Sequence, residues 1–176
     1  MKTRHSRLAA LAILAGNIPT AGAVMASEPP MIVPGGELDP AFPNADVYIG
    51  IPKAAAASSA RACVVAQHYV DLINAGDYAG VARLFGDDAT FLEPVRPTLR
   101  GRAQIDEFYT KRIGSMKPQI IAVSYLGDDA ECMITLTREI EIGGRQRYVL
   151  VSVDHFLIGD DGKIVSMAAF ARPERG

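Results

Sequence analysis

Tryptophan is missing from this 176-residue chain, and aromatic residues make up only 7% of it. Cysteine occurs twice, at Cys63 and Cys132, and histidine three times, at His5, His68 and His155. These residues have no metal-ligand spacing, so no metal site is read from them. Two isolated cysteines in apolar surroundings read as unpaired core residues, although an oxidising compartment would let them pair. Charge of neither sign dominates: 22% of residues are charged, the net charge is −2, and no basic stripe is present. Nucleic acid is therefore not an expected partner. No apolar run is long enough to span a bilayer, and no internal repeat is visible. The length suits one domain with a real core and is short for two.

What is present begins with an export signal. Lys2, Arg4 and Arg7 form a positive stretch, followed by the apolar run from Leu8 to Ala15 and small residues at Ala21, Ala23, Val24 and Ala26. Residues 1–26 are accordingly expected to be a signal peptide, cleaved after Ala23 or Ala26, for a periplasmic or secreted protein. Residues 27–56 carry Pro29, Pro30, Pro34, Pro40, Pro43 and Pro52 with several glycines, a composition that resists regular structure, and read as a tether. Within it, Met31-Ile32-Val33 and Val47-Tyr48-Ile49 are short apolar patches able to dock on a domain. That domain is expected over residues 57–172, with 173–176 a short tail.

Ser58 or Ser59 can cap a helix in which Ala62, Val65, Ala66, Tyr69, Leu72 and Ile73 recur at helical spacing, ended by Gly76. Tyr78 to Phe85 reads as a second short helix, Gly86-Asp87-Asp88 as a turn, and Ala89 to Glu93 as a strand stopped by Pro94. A further helix follows Gly101, with Ile105, Phe108 and Tyr109 on one face. Strands are expected at 119–126, 131–142, 146–158 and 163–171, separated by glycine-rich hairpin turns. Helices first and an antiparallel meander after make an α+β domain with its helices on one face of the sheet.

Asp154 stands in the apolar run Tyr148-Val149-Leu150-Val151-Ser152-Val153-Asp154-His155-Phe156-Leu157-Ile158. An unpartnered ionised carboxylate there costs more than strand pairing returns, so the group is expected to stay protonated. A protonated carboxyl is a donor that can be aimed at an oxygen gaining charge in a transition state. A salt-bridged Asp at a strand end is the alternative. Alternation puts Ser152, Asp154 and Phe156 on one face and His155 on the other. Tyr69 lies on the apolar face of the first helix, where a buried phenol needs a partner. Glu93 shares a strand face with Ala89 and Phe91. Met116, Met133 and Met167 read as core or pocket wall.

Three segments resemble the ketosteroid isomerase family, within the larger SnoaL-like group with the nuclear transport factor 2-like fold. They are His68-Tyr69-Val70-Asp71-Leu72-Ile73-Asn74-Ala75-Gly76-Asp77, Asp87-Asp88-Ala89-Thr90-Phe91-Leu92-Glu93-Pro94, and Asp154-His155-Phe156 through Gly162-Lys163-Ile164-Val165-Ser166-Met167. The resemblance implies a cone-like, curved, largely antiparallel sheet wrapped on the N-terminal helices. It places Tyr69 on the family's oxyanion-hole tyrosine, Asp154 on its protonated aspartic acid, and Glu93 on its general base, an Asp in the family. Tyr109 falls where some members have a Tyr supporting the hydrogen-bond network, and Phe85 where some have another. Phe85, Phe91, Phe108, Tyr109, Met116 and Met167 are then the expected substrate-binding wall.

The implied activity moves a double bond into conjugation with a ketone on a small, steroid-like apolar substrate, by proton transfer that needs no metal or organic cofactor. Two alternatives stay open: a polyketide-cyclase- or dehydratase-like enzyme, which would lean on His68 or His155, and a non-catalytic binder of apolar ligands. The family forms dimers through its sheet, and Val149, Val151, Val153 and Leu157 are an apolar outward set compatible with a homodimer.

Overall fold

The computed structural model describes residues 37–41, 47–49, 51–94 and 96–171, all within the compact unit Val33–Gly176. The expected signal peptide, Met31-Ile32-Val33 and the tail 173–176 lie outside the described residues. Helix α1, Arg61–Ala75, buries Ala62, Cys63, Ala66, Tyr69, Val70 and Ile73, the apolar face its spacing implies. Gly76 ends it with φ 74°, in the left-handed region where glycine is tolerated, and the Gly76 and Asp77 N–H groups close onto Ile73 and Leu72 carbonyls. Its start differs from expectation. The N-cap is Ala60, with no side-chain cap of its own. The Arg61 N–H instead donates to Asp129 Oδ1 at 2.9 Å, so a turn 68 residues later caps the helix.

Helix α2, Tyr78–Arg83, is capped by Asp77, whose carboxylate accepts from the Gly80 N–H at 2.7 Å. Phe85, expected on this helix, instead opens strand β3, Phe85–Leu92. Tertiary pairing overrides the local pattern here: the Leu84 carbonyl accepts from the Ile164 N–H at 2.9 Å, and Phe85 pairs with Ile164. Gly86-Asp87-Asp88, expected as a turn, lies inside β3 where its register is irregular. After the short strand β4, Leu99–Arg100, helix α3 spans Arg102–Glu107 and widens into a π-helix over Phe108–Ile113, followed by α4, Gly114–Met116.

Strands β5 (Ile120–Gly127), β6 (Glu131–Ile142), β7 (Arg145–Ile158) and β8 (Ile164–Ala171) pair antiparallel in sequence order. β8 then pairs parallel with β3, which pairs antiparallel with β4. The segment expected as a tether contributes two more strands, β1 (Glu37–Leu38) and β2 (Val47–Ile49). β2 pairs with the first half of β7, on the edge that β8 takes further along. Asp39, 4% exposed, forms an ion pair with Arg147 of β7 and accepts from the Ala41 N–H at 3.0 Å. That amide and then the guanidinium hold the Asp39 carboxyl below its usual range.

Helix α1 packs across β5, β6 and β7. There the expectation of unpaired cysteines is corrected: Cys63 of α1 and Cys132 of β6 form a disulfide, both fully buried. Helical and strand periodicities report which face a residue is on, not which residue 69 positions away it meets. Closing a loop of that length stabilises the fold by about 4 kcal/mol through the unfolded chain. Val151 is a second correction. A register shift opposite Leu136 and Thr137 makes it the extra residue of a bulge, and it packs against the core instead of facing outward.

Candidate active site

Tyr69 is 6% exposed, and its ring meets Phe156 edge-on at 5.2 Å between centroids and Tyr109 at 6.0 Å. Tyr109, the second residue of the π-helix, stacks on Phe91 at 6.0 Å and 9° and contacts Phe85 and Phe108. Its hydroxyl lies 3.2 Å from the Tyr69 hydroxyl and 3.6 Å from Met167 Sδ. A phenol has one proton, and oxygen accepts better than a thioether. Tyr109 therefore donates to Tyr69, which leaves the Tyr69 proton for another acceptor. Burial raises the pKa of both phenols; the Asp154 charge raises Tyr69 further, against the Tyr109 hydrogen bond. Both stay protonated at neutral pH.

Asp154 is 3% exposed on β7, and among the described residues its Oδ1 has no hydrogen-bond partner. Burial pushes its carboxyl up to about 7, against the smaller opposing pull of the Ser152 hydroxyl. Between the ordinary value of 3.8 and about 7, the folded protein holds a proton that the unfolded chain releases. Stability therefore falls as pH rises through that window, by up to about 1.4 kcal/mol per pH unit. Asp154→Asn removes this dependence. Denaturant titration at about pH 4 and about pH 8 is expected to show the Asn variant gaining on the parent protein at the higher pH. An unchanged difference between the two would mean that Asp154 titrates as a solvated group.

Glu93 follows the last residue of β3 and is half-buried. Phe91 and Ala89, two and four residues earlier, are both buried. The register pairs Phe91 with Met167 and Leu92 with Ala168, where the β3 pairing ends, one residue before Glu93. Ala169 is itself paired with Asp154. Ala169 and Asp154 thus face each other across β8 and β7, and Glu93 follows the β3 residue that pairs with Ala168. Ala169 was not singled out from the sequence. Its signal was the alternation that makes Met167 inward.

Phe85, Phe91, Phe108, Tyr109 and Met167 join Tyr69 in one buried cluster. Met116 stands apart, 53% exposed at the end of α4, and Met133, 41% exposed, faces outward. His155 faces away from Asp154, its Nε2 3.0 Å from Glu131 Oε2, and His68 is exposed on α1. Two surface grooves flank α3 and the π-helix. Neither is lined by Tyr69, Glu93 or Asp154. Among the described residues no group of three or more His, Cys, Asp or Glu side chains is placed to hold a metal ion.

Comparison with known proteins bears on this arrangement. A SnoaL-like domain matches residues 66–167. A Steroid Delta-isomerase from Nocardioides simplex is 34% identical over 117 residues, covering 65% of this chain and 93% of that protein. Among solved structures, a Mycobacterium tuberculosis protein in complex with estradiol-17beta-hemisuccinate superposes with a TM-score of 0.54 at 18% identity, covering 65% of this chain and 95% of that one. The epoxide hydrolase/cyclase-like enzyme SalBIII, with a role in pyran ring formation in polyether salinomycin, gives 0.53 at 22% identity, covering 62% and 88%. These two likenesses show the fold.

Proposed function

The chain belongs to the SnoaL-like family with the nuclear transport factor 2-like fold, as an isomerase- or cyclase-type enzyme, and we propose that it shifts a double bond into conjugation with a ketone on a steroid-like substrate. One observation carries this reading: Asp154, a buried carboxyl with an unpartnered oxygen, lies close enough to the buried Tyr69 hydroxyl for its charge to raise that phenol's pKa. Tyr69, with its own proton uncommitted, supplies the second donor.

The Glu93 carboxylate removes the proton from the carbon between the ketone and the double bond. The bonding pair delocalises onto the ketone oxygen as a dienolate. Tyr69 and protonated Asp154 donate hydrogen bonds to that oxygen, and such preaimed donors act most strongly where water is excluded. Glu93 then returns the proton to the far carbon. Nothing is oxidised or reduced, so the reaction needs no cofactor. A substrate deuterated at the carbon between ketone and alkene tests this. Part of the label is expected at the far carbon of the product by mass spectrometry. Unchanged substrate would rule the reaction out and leave a non-catalytic binder. The His-dependent cyclase or dehydratase reading loses support from the positions of His68 and His155.

Export to an oxidising compartment is the proposed location, supported by the disulfide together with the positive and apolar N-terminal stretches. Protein isolated from the native envelope is expected to begin after Ala23 or Ala26 and to contain no free thiol. Intact Met1 in a thiol-reduced cytoplasmic pool would contradict both. A homodimer through the outward sheet face is proposed as well, since Met133, Leu157 and Phe170 are 41%, 39% and 58% exposed there. Sedimentation of wild type against Phe170→Glu is the check, and a wild-type monomer would remove the proposal.

A further inference from the structure

One of the two grooves adjoins the aromatic cluster and carries cations that the isomerase reading leaves unused. Its lining includes Arg96, Leu99, Glu107, Phe108, Lys111 and Arg112. Lys111 and Glu107 neutralise each other at 2.8 Å. Arg96 and Arg112 form no ion pair with any described residue. Phe108 separates groove from cluster: it is 9% exposed, and its ring lies 5.3 Å from both Phe91 and Tyr109. Arg96 belongs to the turn directly after Glu93, its N–H donating to the Glu93 carbonyl at 3.4 Å. Two arginines therefore line the same groove as Leu99 and Phe108, and Arg96 lies in the turn that follows the proposed base. A lone surface Arg is ordinarily just solvated. Two of them lining one groove beside Phe108, which itself packs into the buried cluster, make a different arrangement, cations next to an apolar wall.

The geometry points to a substrate with an anionic tail, an apolar ketone whose far end carries a carboxylate or sulfate ester held by Arg96 and Arg112 while its ketone end enters the cluster. This rests on the isomerase reading for the placement of the ketone. Arginine suits such a tail because its planar fork matches both oxyanions in two-point contact. At this exposure each contact contributes modestly and is screened by salt.

Equilibrium binding tests it without requiring turnover. The probes are estradiol, whose phenol stands in for the dienolate oxygen, its 17β-hemisuccinate and its 17β-sulfate. At low salt the wild-type protein is expected to bind at least one of the two acids about five- to tenfold more tightly than estradiol. That ratio should shrink as salt rises, fall to about one in R96Q/R112Q, and persist in R96K/R112K. Whichever acid gains more identifies the tail. No advantage for either acid in the wild type, or an advantage retained in R96Q/R112Q, would overturn the inference. Conversely, an arginine-dependent advantage in a protein that fails to move the deuterium label would sustain the anionic tail and sink the isomerase. Label transfer with no advantage would do the reverse.

Discussion

Glu93→Gln is expected to lower the rate of double-bond migration by roughly 10²–10⁴, because it removes a positioned general base while keeping nearly the same shape. Glu93 is half-buried at the end of β3, so the amide should cost little in folding. Steroid binding should survive, and the loss should appear in kcat. Glu93→Asp is the finer probe. The family's base is an Asp, and shortening the side chain moves the carboxylate back by about 1 Å, a displacement that can cost about a hundredfold. A slower Asp variant would show that the backbone has adjusted to Glu, and a faster one that the pocket remains built for Asp. Unchanged turnover in Glu93→Gln would show that another group takes the proton.

Removing the donors is the second large effect. Tyr69→Phe is expected to reduce kcat by about 10²–10³, the usual loss for a single oxyanion-hole donor. Asp154→Ala should fall in the same range, and Asp154→Asn should lose less because its amide still donates. The pH profile separates the two donors. Asp154 donates only while protonated, and burial sets its pKa near 7. Activity of the wild type is therefore expected to decline as pH rises above about 7, with the decline absent in Asp154→Asn. Both phenols lie well above that range, so neither accounts for such a limb. An unaltered pH profile in Asp154→Asn would remove Asp154 from the hydrogen-bonding pair.

Strand alternation in the sequence placed Asp154 inward and His155 outward, and helical spacing placed Tyr69 on the buried face of α1; the structure agrees on all three. These readings depend only on local period, which a single sequence displays. What was hidden depended on distant partners. Phe85 leaves its helix because β8 recruits it, Asp129 caps α1 from across the fold, and Val151 turns inward at a bulge. The Cys63–Cys132 bond and the Asp39–Arg147 pair join residues whose local patterns carry no record of each other. Met116 failed for a related reason: an apolar residue near a helix end has no periodic neighbours to fix its face, and here it points to solvent. That β8 lies between β3, which ends just before Glu93, and the Asp154 strand needed strand order as well as alternation, since β3 meets β8 through a parallel pairing between segments far apart in the chain.

Ultraviolet absorbance during incubation with a Δ5-3-ketosteroid tests the central claim most directly, because only migration of the double bond creates the conjugated enone. Wild-type protein is expected to produce a rising enone band proportional to enzyme concentration, with Glu93→Gln close to the buffer rate. A flat trace from wild-type protein that demonstrably binds the steroid would contradict the account.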